Sequence, residues 1–115
     1  MIPSVLLLAL IAVESGGNDS ARGPADELGC LQIRLCVAED CNRIQNMVHF
    51  TPESRLNRET SIMMCEIYLS HYAAAGRLGH EPTDEDFARI WNGGPDGWIK
   101  LSTLPYWHKV QALLR

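Results

Sequence analysis

Nine apolar residues in succession, Val5 to Val13, lead into Glu14 and then into Ser15-Gly16-Gly17-Asn18, a run that stops a helix. This pattern predicts a first helix over residues 3–14, apolar nearly all round and buried on most sides. Residues 15–29 are rich in Gly, Ser, Asn and Asp and include Pro24, so they form a loop or a short irregular hairpin. Ile33, Val37, Cys41 and Ile44 recur at helical spacing and predict a second helix over 33–45. Pro52 opens a third, in which Ile62, Cys65, Leu69 and Tyr72 make one apolar stripe ended by Gly76. Thr83 and Asp86 form a weak capping box for a fourth helix, with Phe87, Ile90 and Trp91 inward, which breaks at Asn92-Gly93-Gly94-Pro95. A last helix from about Leu104 to Leu114 carries Trp107, Val110, Leu113 and Leu114. No run of alternating strand character appears. The expected architecture is mostly α, a compact helical domain with at most a small β hairpin in the 15–30 region.

The first helix raises a chemical question. A carboxyl at the exit of an apolar segment lies beside low-dielectric surroundings and near the negative end of a helix dipole, and both disfavour its ionised form. A carboxylic acid still protonated near neutrality is what a general acid requires. A solvated glutamate at a helix end reads the same way from this segment alone, so other parts of the chain must decide. Three irregular segments flank helices: Glu14 to Asn18, Gly29-Cys30-Leu31-Gln32, and Asn92 to Gly97. Each combines glycine, which lets backbone approach a flat ligand, with polar side chains suited to hydroxyl or acetamido groups. Together with the acid they suggest a carbohydrate cleft; singly, each is helix punctuation.

Composition narrows the alternatives. At 115 residues, 46% hydrophobic and 21% charged, the chain fits one globular domain over 1–115. A net charge of −4 with scattered Lys and Arg leaves no footprint for nucleic acid. The apolar run is too short to span a bilayer, lacks a basic leader and shows no clear cleavage site, so it is expected to be a helix of the mature fold and not a signal peptide. An exported protein of this sequence would have lost its leader before this numbering begins or would leave by another route. Cys30, Cys36, Cys41 and Cys65 allow three full pairings; with no histidine at ligand spacing from Cys36 and Cys41, no metal site is expected. Buried thiols and one or two structural bridges both remain open.

Glu14-Ser15 at a helix end, Gly29-x-x-Gln32, and Ile90-Trp91-Asn92-Gly93-Gly94-Pro95 occur in an order that resembles the three signature segments of the lysozyme-like superfamily, including soluble lytic transglycosylases and goose-type lysozymes. The chain is more closely similar to invertebrate-type lysozymes, or destabilases, through Phe87-Ala88-Arg89-Ile90 with the glycine segment, Gly97, Thr103 and Tyr106-Trp107-His108-Lys109-Val110. Leu31-Gln32-Ile33, Glu39-Asp40-Cys41 and Tyr68 to Tyr72 fit as well. The resemblance implies an α+β lysozyme-like fold and a muramidase that cleaves the β-1,4 bond between N-acetylmuramic acid and N-acetylglucosamine, without a cofactor. It implies Glu14 as catalytic acid and Asp26 as second carboxylate, with Asp19 and Glu27 as competitors for the latter role. Two unlike carboxyls suit this chemistry: one protonates the leaving oxygen, and the other stays ionised to attack or stabilise the anomeric carbon. With Asp26 turned away, Glu14 alone would act as acid and then base, the substrate's own hydroxyl closing an anhydro ring as in lytic transglycosylases.

The other matched positions take softer roles. Ser15 accompanies the acid, Gln32 and Asn92 hydrogen-bond sugar or cleft backbone, Gly93 and Gly94 leave room for the glycan, and Tyr106 faces the acid or packs the last helix. Trp91 and Trp107 lie on apolar faces as core; Trp98 comes after the glycine turn and is the stacking candidate. The implied partner is the peptidoglycan glycan strand, met by a monomer outside the cell or in its envelope. Four cysteines are few for invertebrate-type lysozymes and suggest a less bridged relative. The isopeptidase activity of some destabilases is not carried over, since its residues have no match here. A catalytically silent glycan-binding module and a small helical interaction protein are the readings from other classes.

Overall fold

The computed structural model describes residues 2–114. Six α-helices occur in order among them: α1 (Ser4–Ser15), α2 (Leu35–Ile44), α3 (Arg58–Tyr72), α4 (Ala75–Leu78), α5 (Asp84–Gly93) and α6 (Leu104–Ala112). Three 3₁₀ turns join them, Pro52–Leu56 before α3 and Gly97–Ile99 and Leu101–Thr103 before α6. The described residues contain no strand. Two isolated antiparallel bridges, Arg22 with Leu28 and Leu28 with Ile33, take the place of the anticipated hairpin. No described helix is long and apolar enough to cross a membrane.

The chain forms two compact units, one of Met1–Val13 with Leu69–Arg115 and the other of Glu14–Tyr68. In the first, Leu6, Leu10, Leu69, Ile90 and Val110 are fully buried, and α5 packs on α6 and on both of the 3₁₀ turns before it. Thr83 caps α5: its hydroxyl accepts from the Asp86 amide at 3.2 Å and its own amide donates to Asp86 Oδ2 at 3.0 Å. That reciprocal box satisfies two backbone or side-chain groups at the helix start, as the sequence suggested. Burial works to raise the Asp86 pKa, but the Thr83 amide and the His80 ring outweigh it and hold the carboxyl below its ordinary 3.8. A group whose folded pKa is depressed contributes stability above its unfolded pKa and loses it as pH falls through the folded value. Asp86→Asn therefore flattens the loss of stability below about pH 4; an unchanged acid limb in urea melts would refute the assignment.

In the second unit Leu31, Ile33, Cys41, Met64 and Cys65 are fully buried, and α2 packs on the turn Pro52–Leu56. All four cysteines are free thiols; Cys36 is exposed and the other three are buried. Cys41 Sγ donates to the Met64 carbonyl at 3.3 Å, and burial pushes its pKa up to about 12.

Four local expectations change. The third helix does not run from Pro52: the chain makes a 3₁₀ turn, becomes extended at Asn57 (φ −104°, ψ 129°), and restarts as α3 with Asn57 Oδ1 accepting from the Thr60 amide at 3.1 Å. Asparagine at a helix start competes well for those free amides, which is why the pattern breaks there. Nor does Gly76 end the helix. α3 stops at Tyr72, Gly76 lies inside α4, and Gly79 at φ +82° terminates that turn. Finally, α1 is not covered all round: Val5 and Leu8 are 62% and 63% exposed, because Leu6, Ala9, Leu10 and Ile11 already fill the buried stripe. Leu113 is likewise exposed, since α6 ends one residue before it.

Candidate active site

Glu14 is the penultimate residue of α1 and is half-buried. The chain then enters a tightly fastened turn. Gly16 and Gly17 take φ +64° and +89°, a backbone that a side chain would strain. Ser15 Oγ accepts from the Gly17 amide at 3.1 Å and donates to the Cys30 carbonyl at 2.8 Å, tying the helix exit to the Gly29–Gln32 segment. Arg58 of α3 clamps the same turn, with Nη2 on the Gly17 carbonyl at 2.7 Å and Nε 2.9 Å from Asp19 Oδ1. Beneath it lies a cluster of thiols. Cys65 is pushed well up, first by burial and then by the nearby Glu66, Cys41 and Glu14 charges, so the Glu14 carboxyl stands within electrostatic reach of a fully buried thiol. Cys30 is raised chiefly by burial too, Arg58 pulling the other way.

A second arginine organises the loop that carries Asp26. The Arg55 side chain is 3% exposed, and its guanidinium serves the carbonyls of Pro52 (2.8 Å), Asp26 (2.8 Å) and Ile33 (3.0 Å) as well as Asp26 Oδ2 (3.3 Å). Asp26 itself sits at φ +60° with an exposed side chain. The two competing carboxylates are also engaged: Asp19 with Arg58, and Glu27 with the Ala25 amide at 2.9 Å and Arg34 at 3.7 Å. Gly29 explains its place in the motif, because a Cβ there would collide with the Arg55 carbonyl oxygen, and its φ is +83°. Gln32, at φ +49°, donates from Nε2 to the Gly29 carbonyl at 3.0 Å.

Asn92, Gly93, Gly94, Trp98 and Tyr106 belong to the other unit. Asn92 is exposed near the end of α5, and Tyr106 is half-buried on α6. At Gly93 a Cβ would collide with the Thr103 methyl, so the missing side chain lets Thr103 pack against the end of α5. Gly94 has open space around it but takes φ +87°, which ends α5. Behind this turn lies a buried polar knot. Arg89 donates to Thr103 Oγ1 at 2.8 Å and the Lys100 carbonyl at 2.9 Å and pairs with Glu85 at 2.6 Å, while the Thr103 hydroxyl lies 2.8 Å from the Gly97 carbonyl. Gly97 is required because a Cβ would overlap the Arg89 carbonyl oxygen. Arg89, Gly97 and Thr103 stood out in sequence only by resemblance; Arg55 and Arg58 did not stand out at all. The Glu85–Arg89 spacing of four residues was the one signal of the knot.

The fold defined by these elements is that of lysozymes. The chain superposes on an inhibitor-bound lysozyme from Meretrix lusoria with TM-score 0.79 and 25% identity, covering 96% of this chain and 89% of that one. It also superposes on a 70 kDa soluble lytic transglycosylase from Escherichia coli with TM-score 0.80 and 19% identity, where it covers 99% of itself and 21% of the larger chain, a likeness of fold. A curated lysozyme from Ostrea edulis is 29% identical over 83 residues, 72% of this chain, and this match spans 57% of the oyster protein. Residues 1–80 match the family model described as Transglycosylase SLT domain, and the chain belongs to that family.

Proposed function

We propose that this chain is a muramidase that cleaves the β-1,4 bond between N-acetylmuramic acid and N-acetylglucosamine in peptidoglycan, with Glu14 as general acid. The observation that carries the reading is the half-buried Glu14 at the exit of α1, with the turn after it held by Ser15 and Arg58, in a member of the Transglycosylase SLT domain family. Similarity to the lysozymes of Ostrea edulis and Meretrix lusoria supports hydrolysis. Asp26 is the second carboxylate, kept in place by Arg55. Ser15 and Gln32 hold the backbone around the acid; Asn92, Gly93, Gly94, Trp98 and Tyr106 line the path of the glycan. The chain acts as one domain and as a monomer, outside the cell or in its envelope.

A second reading, lytic transglycosylation by Glu14 alone, is favoured by one specific observation: the Asp26 carboxylate is already engaged by a guanidinium. Digestion of purified peptidoglycan followed by mass spectrometry separates the two. Reducing-end muropeptides that disappear in Asp26→Asn are the expected result; anhydro-muropeptides that persist in that variant establish the transglycosylase instead. Because Asp26 is 64% exposed, the substitution itself costs about 1 kcal/mol or less in stability. Absence of any fragment from the wild-type protein would sink both readings.

A further inference from the structure

The segment between α3 and α5 sends two side chains to the turn Gly94–Trp98. Arg77 of α4 donates from Nη1 to the carbonyls of Tyr72 (3.2 Å) and Pro95 (2.5 Å) and from Nη2 to Asp96 Oδ1 (2.7 Å), its guanidinium lying 5.7 Å from the Tyr72 ring centroid. His80, one residue beyond the Gly79 cap, is hydrogen-bonded through Nε2 to Asp86 Oδ2 at 2.8 Å and meets the Trp98 indole edge-on, with centroids 5.7 Å apart and planes at 63°. Asp86 is itself fixed by the Thr83 capping box, so the imidazole has a rigid backing. From the inner side the same turn is pinned by Thr103 on the Gly97 carbonyl. Trp98 therefore stands between an inner tie and an outer one.

We propose that Arg77 and His80 are positioning residues, which hold the Pro95–Trp98 turn in the one arrangement that presents the Trp98 indole to a glycan chain. This rests on the reading of the protein as a glycan-cleaving enzyme. The magnitudes separate this role from a purely structural one. Arg77–Asp96 is a surface pair, with the two side chains 33% and 65% exposed, and such pairs contribute little to folding. The guanidinium fork nevertheless fixes two consecutive residues of the turn at once, which a point charge does less well. Without it the turn is ordered only when substrate arrives, and that ordering weakens binding while leaving the chemical step intact.

The test uses the whole chain and soluble uncrosslinked peptidoglycan strands. Arg77→Ala and His80→Ala should each raise KM about 3- to 10-fold with kcat held within about twofold, and Arg77→Lys should recover part of the loss. In the ligand-free protein the indole N–H resonance of Trp98, identified by its absence in Trp98→Phe, should shift or broaden in both alanine variants while the remaining spectrum stays dispersed. Asp96→Asn removes the same pair from the side of the turn and should behave as Arg77→Ala. An unmoved Trp98 resonance overturns the positioning role whether or not the protein cleaves peptidoglycan; a fall in kcat at constant KM overturns it as well. A shifted resonance in a protein that leaves peptidoglycan intact upholds the positioning of Trp98 and removes the glycan-cleaving function beneath it.

Discussion

Glu14→Gln lowers muropeptide release from purified peptidoglycan by about 10²- to 10⁴-fold, the range that a positioned general acid contributes, with little change in thermal stability. The amide is nearly isosteric with the acid and the side chain is half-buried, so the substitution removes a transferable proton at almost unchanged volume. The Ser15 hydroxyl, bonded to the Gly17 amide and the Cys30 carbonyl, and Arg58 on the Gly17 carbonyl keep the turn after it in place. Circular dichroism melts run beside the assay separate loss of chemistry from loss of fold. Activity within tenfold of wild type would mean that the proton comes from elsewhere.

Arg55→Met destabilises the protein by about 3–5 kcal/mol, because it strands carbonyls that the guanidinium now serves. Three backbone acceptors and one carboxylate depend on that single side chain, the Ile33 carbonyl in a fully buried setting. A loss of this size corresponds to a fall in Tm of roughly 10–20 °C for a domain of this length. Arg55→Lys rescues only in part: an ammonium has three donors on a point charge and cannot span carbonyls contributed by three separate segments. A shift below about 3 °C for Arg55→Met would show that water replaces the guanidinium at low cost.

The helical skeleton was legible in the sequence wherever a short-range signal existed. Thr83 and Asp86 announced the start of α5 and the run Asn92 to Pro95 its end, and the periodic apolar residues of α2 and α6 placed those helices within a few positions. Periodicity, however, reports apolar stripes and is blind to a buried charge. Arg55 is held by Asp26 and Ile33, which lie 29 and 22 residues away along the chain, and Arg89 by Thr103, 14 away. No local pattern encodes such partners. The packing of Thr103 against Gly93 is hidden from local pattern in the same way. The place of Glu14 at the exit of α1 was legible for the opposite reason, since an apolar run and a glycine stop are local. The purpose of Gly29 lay in a long-range contact with Arg55 and became visible only in three dimensions.

The free thiols have a consequence of a different kind. Cys30, Cys41 and Cys65 are buried in the unit Glu14–Tyr68, whereas Cys36 faces solvent. Burial pushes the Cys41 pKa up to about 12, which keeps it a thiol at neutral pH, whereas the thiolate is the form that alkylating reagents attack. A thiol reagent thus consumes Cys36 at once and the other three only as that unit opens. The molecule carries its own clock for opening, readable by mass in a native solution with neither substrate nor denaturant.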